Sequence, residues 1–208
     1  MTDKTLDFYG HYLSVPSCKV GLMLSMAGIP HAYHHVDIMS GAHRTPDYAA
    51  VNRFAQVPAI VHDGMTICQS DVILVYLAEN FGKLDGATAE ARIRAREWLC
   101  WASDRLWNIT RARSQLKFQS GAPAVIEQLQ NASRAALGVL DGHLEDGEFV
   151  TGKTPTIADV CCFAISAFAE DADIDISEWP AITAWRKRML DEEGCGEIEA
   201  LLPREDRV

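Results

Sequence analysis

The apolar residues of this chain change period once, near residue 82, and that change limits the folds open to it. Before it, short apolar runs alternate with helical periods; from Thr88 onward only helical periods occur. A mixed α+β region must therefore be followed by an all-α one. Strands are expected over residues 6–9 and 32–37, with a hairpin over 59–68 turning at Asp63-Gly64. Helices are expected over 16–27, stopped by Gly28, then over 46–51 and 70–81, which gives the order βαβαββα. "FGKLDGAT" is glycine-rich and polar enough for a linker, so the expected domains are 1–82 and 83–208. The second should carry helices over 88–118, 123–144, 156–169 and 180–190. "GKTPTIADV" opens the third of these with a capping box, Thr156 as cap and Asp159 three residues on. "EDADIDISE" reads as an acidic turn.

Bulk properties narrow the partners. No stretch approaches the roughly 18 apolar residues that span a bilayer, and "MTDKTLDFYG" lacks the basic and apolar segments of a signal peptide, so a cytoplasmic location is expected. A formal charge of −10 argues against nucleic acid or an anionic membrane as partner, because both need a basic surface. An anionic small molecule fits only a locally basic pocket. The six cysteines show no CxxC and no metal-ligand spacing, so reduced, packing thiols are expected and neither a disulfide framework nor a zinc site. In "HAYHHVD", strand alternation sends His34 and His35 to opposite faces, where they cannot readily chelate one ion, and no metal is assigned.

Pro58 stands directly before the hairpin, and Gln69-Ser70 follows it. Two readings of the proline are open. It either marks a strand's first residue or an edge, where no ladder donor is needed, or it forms a cis bond that turns the Val57 amide and carbonyl toward an extended, peptide-like ligand. Ser70 is either a helix cap or part of an anion site at a helix N-terminus suited to a carboxylate. Together, an edge backbone and a carboxylate cradle one hairpin apart suggest a small peptide ligand.

The ordered set "GHYLSVPSCKVGLMLSMAGIP", "GAHR", "NRFAQVPAI", "ICQSDVILVYLAE" and "GKTPTIADV" resembles the cytosolic glutathione S-transferases, serine-type members of the phi, theta and zeta kind above all. The resemblance covers nearly the whole chain, and it implies a thioredoxin-like first domain, a cis Pro58 and reduced glutathione as co-substrate. It places Val57, beside Pro58, against the cysteinyl backbone of glutathione, Gln69 and Ser70 at the γ-glutamyl carboxylate, and His43 and Arg44 of "GAHR" near the glycyl carboxylate, with Gln56 also among the glutathione-binding residues. Arg44, Lys19 and a helix N-terminus would supply the local positive field. Asp104 either reaches the glutathione amine or forms a surface ion pair with Arg105 or Arg111. The family commonly has Asn-Pro-x-Gly where this chain reads Asn52-Arg53-Phe54-Ala55, so the loop is expected to take another path without an easily accessible positive φ at Ala55.

The chemistry of such a family needs a thiolate, and no proton-abstracting side chain is required if a hydroxyl donor stabilises it. Ser14, after the first strand and before the helix opened by Pro16, matches that donor; its plainer role is a helix cap. Tyr9 is the runner-up, because other classes use a tyrosine from about there. Cys18, one turn beyond Ser14, reads as packing. An apolar electrophile would meet Tyr12, Trp107, Arg111 and Phe118, whereas Trp98 and Trp101 read as core or interface. The implied activity is conjugation of glutathione to small hydrophobic electrophiles by a homodimer. The alternatives are a non-catalytic glutathione- or ligand-binding protein and a glutathione-dependent disulfide reductase or peroxidase.

Overall fold

A computed structural model of the chain describes residues 6–207. They form two compact units: one runs to Lys83 and resumes at Glu193, and the other is Leu84–Glu192.

The first unit is built on strands β1 (Leu6–Gly10), β2 (His31–His35), β3 (Ala59–His62) and β4 (Met65–Cys68), in the order β2-β1-β3-β4. β2 runs parallel to β1, β3 antiparallel to β1, and β4 antiparallel to β3. Asp63 and Gly64 both take positive φ, 52° and 77°, as a two-residue hairpin turn requires. The helices are α1 (Val15–Met26), α2 (Pro46–Val51) and α3 (Ser70–Phe81). β2 ends at His35; the Val36 amide still bonds the Gly10 carbonyl, and the chain then turns where Asp37 accepts from the Met39 and Ser40 amides.

α1 is apolar nearly all round and correspondingly buried; it packs beside α3 over Leu6 and Phe8. Within that packing Lys19 is 1% exposed and its Nζ lies 2.5 Å from Asp71 on α3. The segment from Glu193 on, expected within the second domain, belongs to this unit. Its short helix α9 (Ile198–Leu201) lies along α1, where Leu202 is so close to Gly21 that a Cβ there would come within 2.6 Å of it. Arg207 then pairs with Tyr33 on the outer edge of β2.

The second unit is all helical: α4 (Ala89–Trp101), α5 (Asn108–Lys117), α6 (Pro123–Leu144), α7 (Ile157–Ser166) and α8 (Pro180–Asp191). The continuous helix expected over 88–118 is broken by a π-helical turn, Ala102–Leu106. The third helix ends three residues early, and the acidic segment forms two 3₁₀ turns. α7 begins with the capping box: Asp159 accepts from the Thr156 amide at 2.9 Å, while its other oxygen accepts from the Val150 amide and the Trp185 indole.

Candidate functional site

Strand directions decide where functional groups gather. β1 and β2 end, β3 begins and β4 ends on one side of the sheet, since Gly10 pairs with His35, Tyr9 with Ala59, and Ala59 with Cys68. The segments just beyond those termini carry Ser14, His43 and Arg44, Val57, and Gln69 with Ser70. Four stretches far apart in the chain thus leave the sheet at the same edge.

The Val57-Pro58 bond is cis. Pro58 is buried and Val57 half-buried, and among the described residues neither the amide nor the carbonyl of Val57 meets a hydrogen-bond partner. The loop before it is tied down. Asn52, 1% exposed, donates from Nδ2 to the Gln56 and Pro58 carbonyls and accepts from the Phe54 amide, while the Tyr48 hydroxyl donates to the Gln56 carbonyl at 2.8 Å. The place of Asn52 before a turn, where Asx side chains bond the backbone, is the sequence signal for this role. Ala55 has φ +50°, so the left-handed geometry expected to be lost with the glycine is kept by an alanine. Gln56 is exposed.

Across the hairpin, Gln69 has φ +70° and ψ 114°, and no side chain caps the first turn of α3. The helix thus starts on the same side of the sheet as Val57. Lys19 does not act there as a separate positive charge, because it is spent on Asp71. In the 3₁₀ turn Ala42–Arg44, Arg44 is exposed, whereas the buried His43 Nδ1 finds no partner among the described residues.

Ser14 is half-buried at the N-cap of α1, its Oγ accepting from the Ser17 amide at 3.3 Å. A hydroxyl that accepts in this way still has its own hydrogen to donate. Its amide bonds the His11 carbonyl, and the Leu13 amide bonds His11 Nδ1 at 3.1 Å. Tyr9 points elsewhere. Its ring stacks on His34 at 4.5 Å and meets Tyr48 edge-on, and burial, with the nearby Asp7 carboxylate, raises its phenol above the ordinary range. It lines a cavity of about 330 Å³ with His34, Thr45, Asp47, Tyr48 and Asp206, to which Ser14, Val57 and Ser70 do not contribute. His34 is held by Asp7 at 2.7 Å while His35 lies against His11, so the two imidazoles diverge. Cys18 is fully buried, with Sγ 3.3 Å from the Tyr12 carbonyl.

Tyr12 is half-buried, its ring between His11 and the Arg204 guanidinium. In the second unit, Trp107 is half-buried at the start of α5, Arg111 is exposed, and Phe118 is 48% exposed beneath Arg113. Asp104 lies in the π-helical turn and pairs with Arg105 at 2.9 Å. Trp98 and Trp101 are half-buried and meet edge to face.

A four-stranded mixed sheet with a cis proline just before its inner strand β3, joined to an all-helical unit, defines a thioredoxin-like protein with a helical second domain. Residues 4–79 match the model of the glutathione S-transferase N-terminal domain and residues 107–193 that of the C-terminal domain, and the chain belongs to the glutathione S-transferase family. It is 28% identical over 197 residues to glutathione S-transferase theta-2 of Rattus norvegicus, covering 88% of this chain and 80% of that one. The disulfide-bond oxidoreductase YfcG of Escherichia coli is 25% identical over 189 residues, covering 86% and 87%. A solved structure of a possible glutathione S-transferase from Rhodopseudomonas palustris superposes with a TM-score of 0.85 at 30% identity, over 93% of this chain and 89% of that one.

Proposed function

We propose that the protein is a glutathione transferase that docks reduced glutathione along Val57, holds its sulfur as a thiolate with the Ser14 hydroxyl, and joins it to small hydrophobic electrophiles. One observation carries the reading. The Val57 amide and carbonyl, without partners among the described residues, sit beside a cis Pro58 and opposite the start of α3. An extended peptide can pair with such an edge as an added strand. Ser70 and the first amides of α3 suit the γ-glutamyl carboxylate, and His43 and Arg44 suit the glycyl one. This arrangement also explains how a chain of charge −10 can hold an anion.

The energetics are modest. A thiol of pKa about 8.5 is only a few per cent ionised at neutral pH, and lowering that pKa by about 2 units takes about 2.7 kcal/mol of preference for the thiolate. A hydrogen bond to a charged group contributes about 1.5–3 kcal/mol. The bound thiolate attacks the electrophilic carbon, the new C–S bond forms, and the leaving group departs with the displaced electron pair. Ser14→Ala should raise the pKa of bound glutathione by about 1–2 units and lower kcat with an aryl halide about 3- to 25-fold at neutral pH. Equal, low rates in both proteins would favour a binding module without catalysis.

Disulfide reduction is the second reading, favoured by the Escherichia coli relative named for it. It predicts turnover with a glutathione mixed disulfide exceeding that with an aryl halide, and a direct comparison of the two rates decides. The working assembly in our reading is a homodimer, checked by sedimentation at twice the chain's mass.

A further inference from the structure

We infer that His11 is a positioning residue for Ser14: its neutral imidazole holds the Leu13 amide through Nδ1 and so fixes the turn that presents the Ser14 hydroxyl. The inference rests on the Ser14 reading above.

Beside the bond from Cys18 Sγ to the Tyr12 carbonyl, two that hold the turn from residue 11 to residue 14 return to His11. Its carbonyl accepts from the Ser14 amide at 3.0 Å, and its Nδ1 accepts from the Leu13 amide at 3.1 Å. The ring itself cannot swing, being 1% exposed, stacked on Tyr12 at 4.5 Å and lying against His35 at 5.0 Å. An N–H donor directed at Nδ1 requires a lone pair there, so the hydrogen of the neutral ring belongs on Nε2. The surroundings favour the neutral form. Burial, then His35 on β2, pushes the His11 pKa down to about 4; Asp37 opposes this and His43 adds to it. Across neutral pH the acceptor is therefore always available.

Ser14 has an extended backbone, φ −89° and ψ 110°, set between that turn and the first turn of α1. The direction of its Oγ follows from the turn. Misplacing a reacting group by about 1 Å can cost on the order of 100-fold in rate, so a residue that never touches the sulfur can still govern its ionisation.

Two amide replacements separate this role from simple packing. In His11→Asn, Oδ1 falls where Nδ1 was and can still accept from the Leu13 amide; in His11→Gln, the amide falls near the Nε2 position and that acceptor is lost. The ionisation of bound glutathione, followed by thiolate absorbance against pH, is the readout, with glutathione Kd from calorimetry beside it. His11→Gln should raise the bound-thiol pKa by about 1 unit and lower kcat at neutral pH about threefold, with Kd changed less than about twofold. His11→Asn should stay within about twofold of the parent, and His11→Gln should add nothing in a Ser14→Ala background. Equal effects of the two replacements, a parental thiol pKa in His11→Gln, or a shift that persists without Ser14 would each overturn the inference. A parental thiol pKa in Ser14→Ala marks instead the failure of the serine reading, and the inference falls with it. Nitrogen NMR of the unaltered protein needs no variant: it should find the His11 hydrogen on Nε2, and finding it on Nδ1 would overturn the inference even if His11→Gln does not fold.

Discussion

Ala55 shows how one residue can keep a local shape at a cost. An L-residue in the left-handed region is strained by about 1–2 kcal/mol, and glycine, which avoids the strain, gives back about 0.4–1 kcal/mol through a freer unfolded chain. With φ at +50°, Ala55→Gly should therefore raise stability by about 0.5–1 kcal/mol, seen as a higher denaturant midpoint. His11 sets a pH dependence. Its pKa is about 4 in the fold and about 6.5 in an unfolded chain, so the unfolded state takes up a proton first as pH falls. Its contribution to stability is complete above pH 6.5 and is lost as pH falls toward 4, about 3 kcal/mol in all. Urea midpoints at pH 7 and pH 4.5 should show this loss, and His11→Asn should reduce it. Ser14, Val57 and Ser70 were legible because each stands at a punctuated position, before a helix, before a proline or at a helix start. Lys19 and His11 were not, since what each does depends on neighbours that only the fold supplies: Asp71 lies 52 residues from Lys19, and the His35 ring that lies against His11 comes from β2.

Among the elements, α7 is tied down at its start by Asp159. That carboxylate is fully buried and accepts from two amides, the Thr156 hydroxyl and the Trp185 indole, which joins the helix start to α8. Asp159→Ala leaves several buried donors without an acceptor and should cost about 3–5 kcal/mol, measured as a fall in the urea midpoint of the helical unit. The capping box was readable in "GKTPTIADV" because its geometry is local, running only from Thr156 to Asp159. The break between α4 and α5 was not, since "CWASDRLWN" has neither proline nor glycine and keeps a helical period through the π-helical turn. An extra residue in a helical turn is decided by how its side chains pack, and periodicity does not register it.

At the scale of the whole molecule, the described residues fall into two units that divide at Lys83, close to where the apolar period changes, and β3 crosses past β2 to pair with β1. The return of the chain end did not show in the pattern, because "GEIEALLPREDRV" carries too few apolar residues to announce where it packs. What sheet topology adds to sequence is convergence: four segments separated by tens of residues leave the sheet on one side, and they bring a serine hydroxyl, an edge backbone and a helix start together. The most direct test is a crystal structure with reduced glutathione. Its cysteinyl amide and carbonyl should pair with residue 57, and its sulfur should lie about 3.0–3.5 Å from the Ser14 Oγ. A tripeptide bound away from Val57, or a sulfur aimed at Tyr9 or Cys18 instead, would contradict the account.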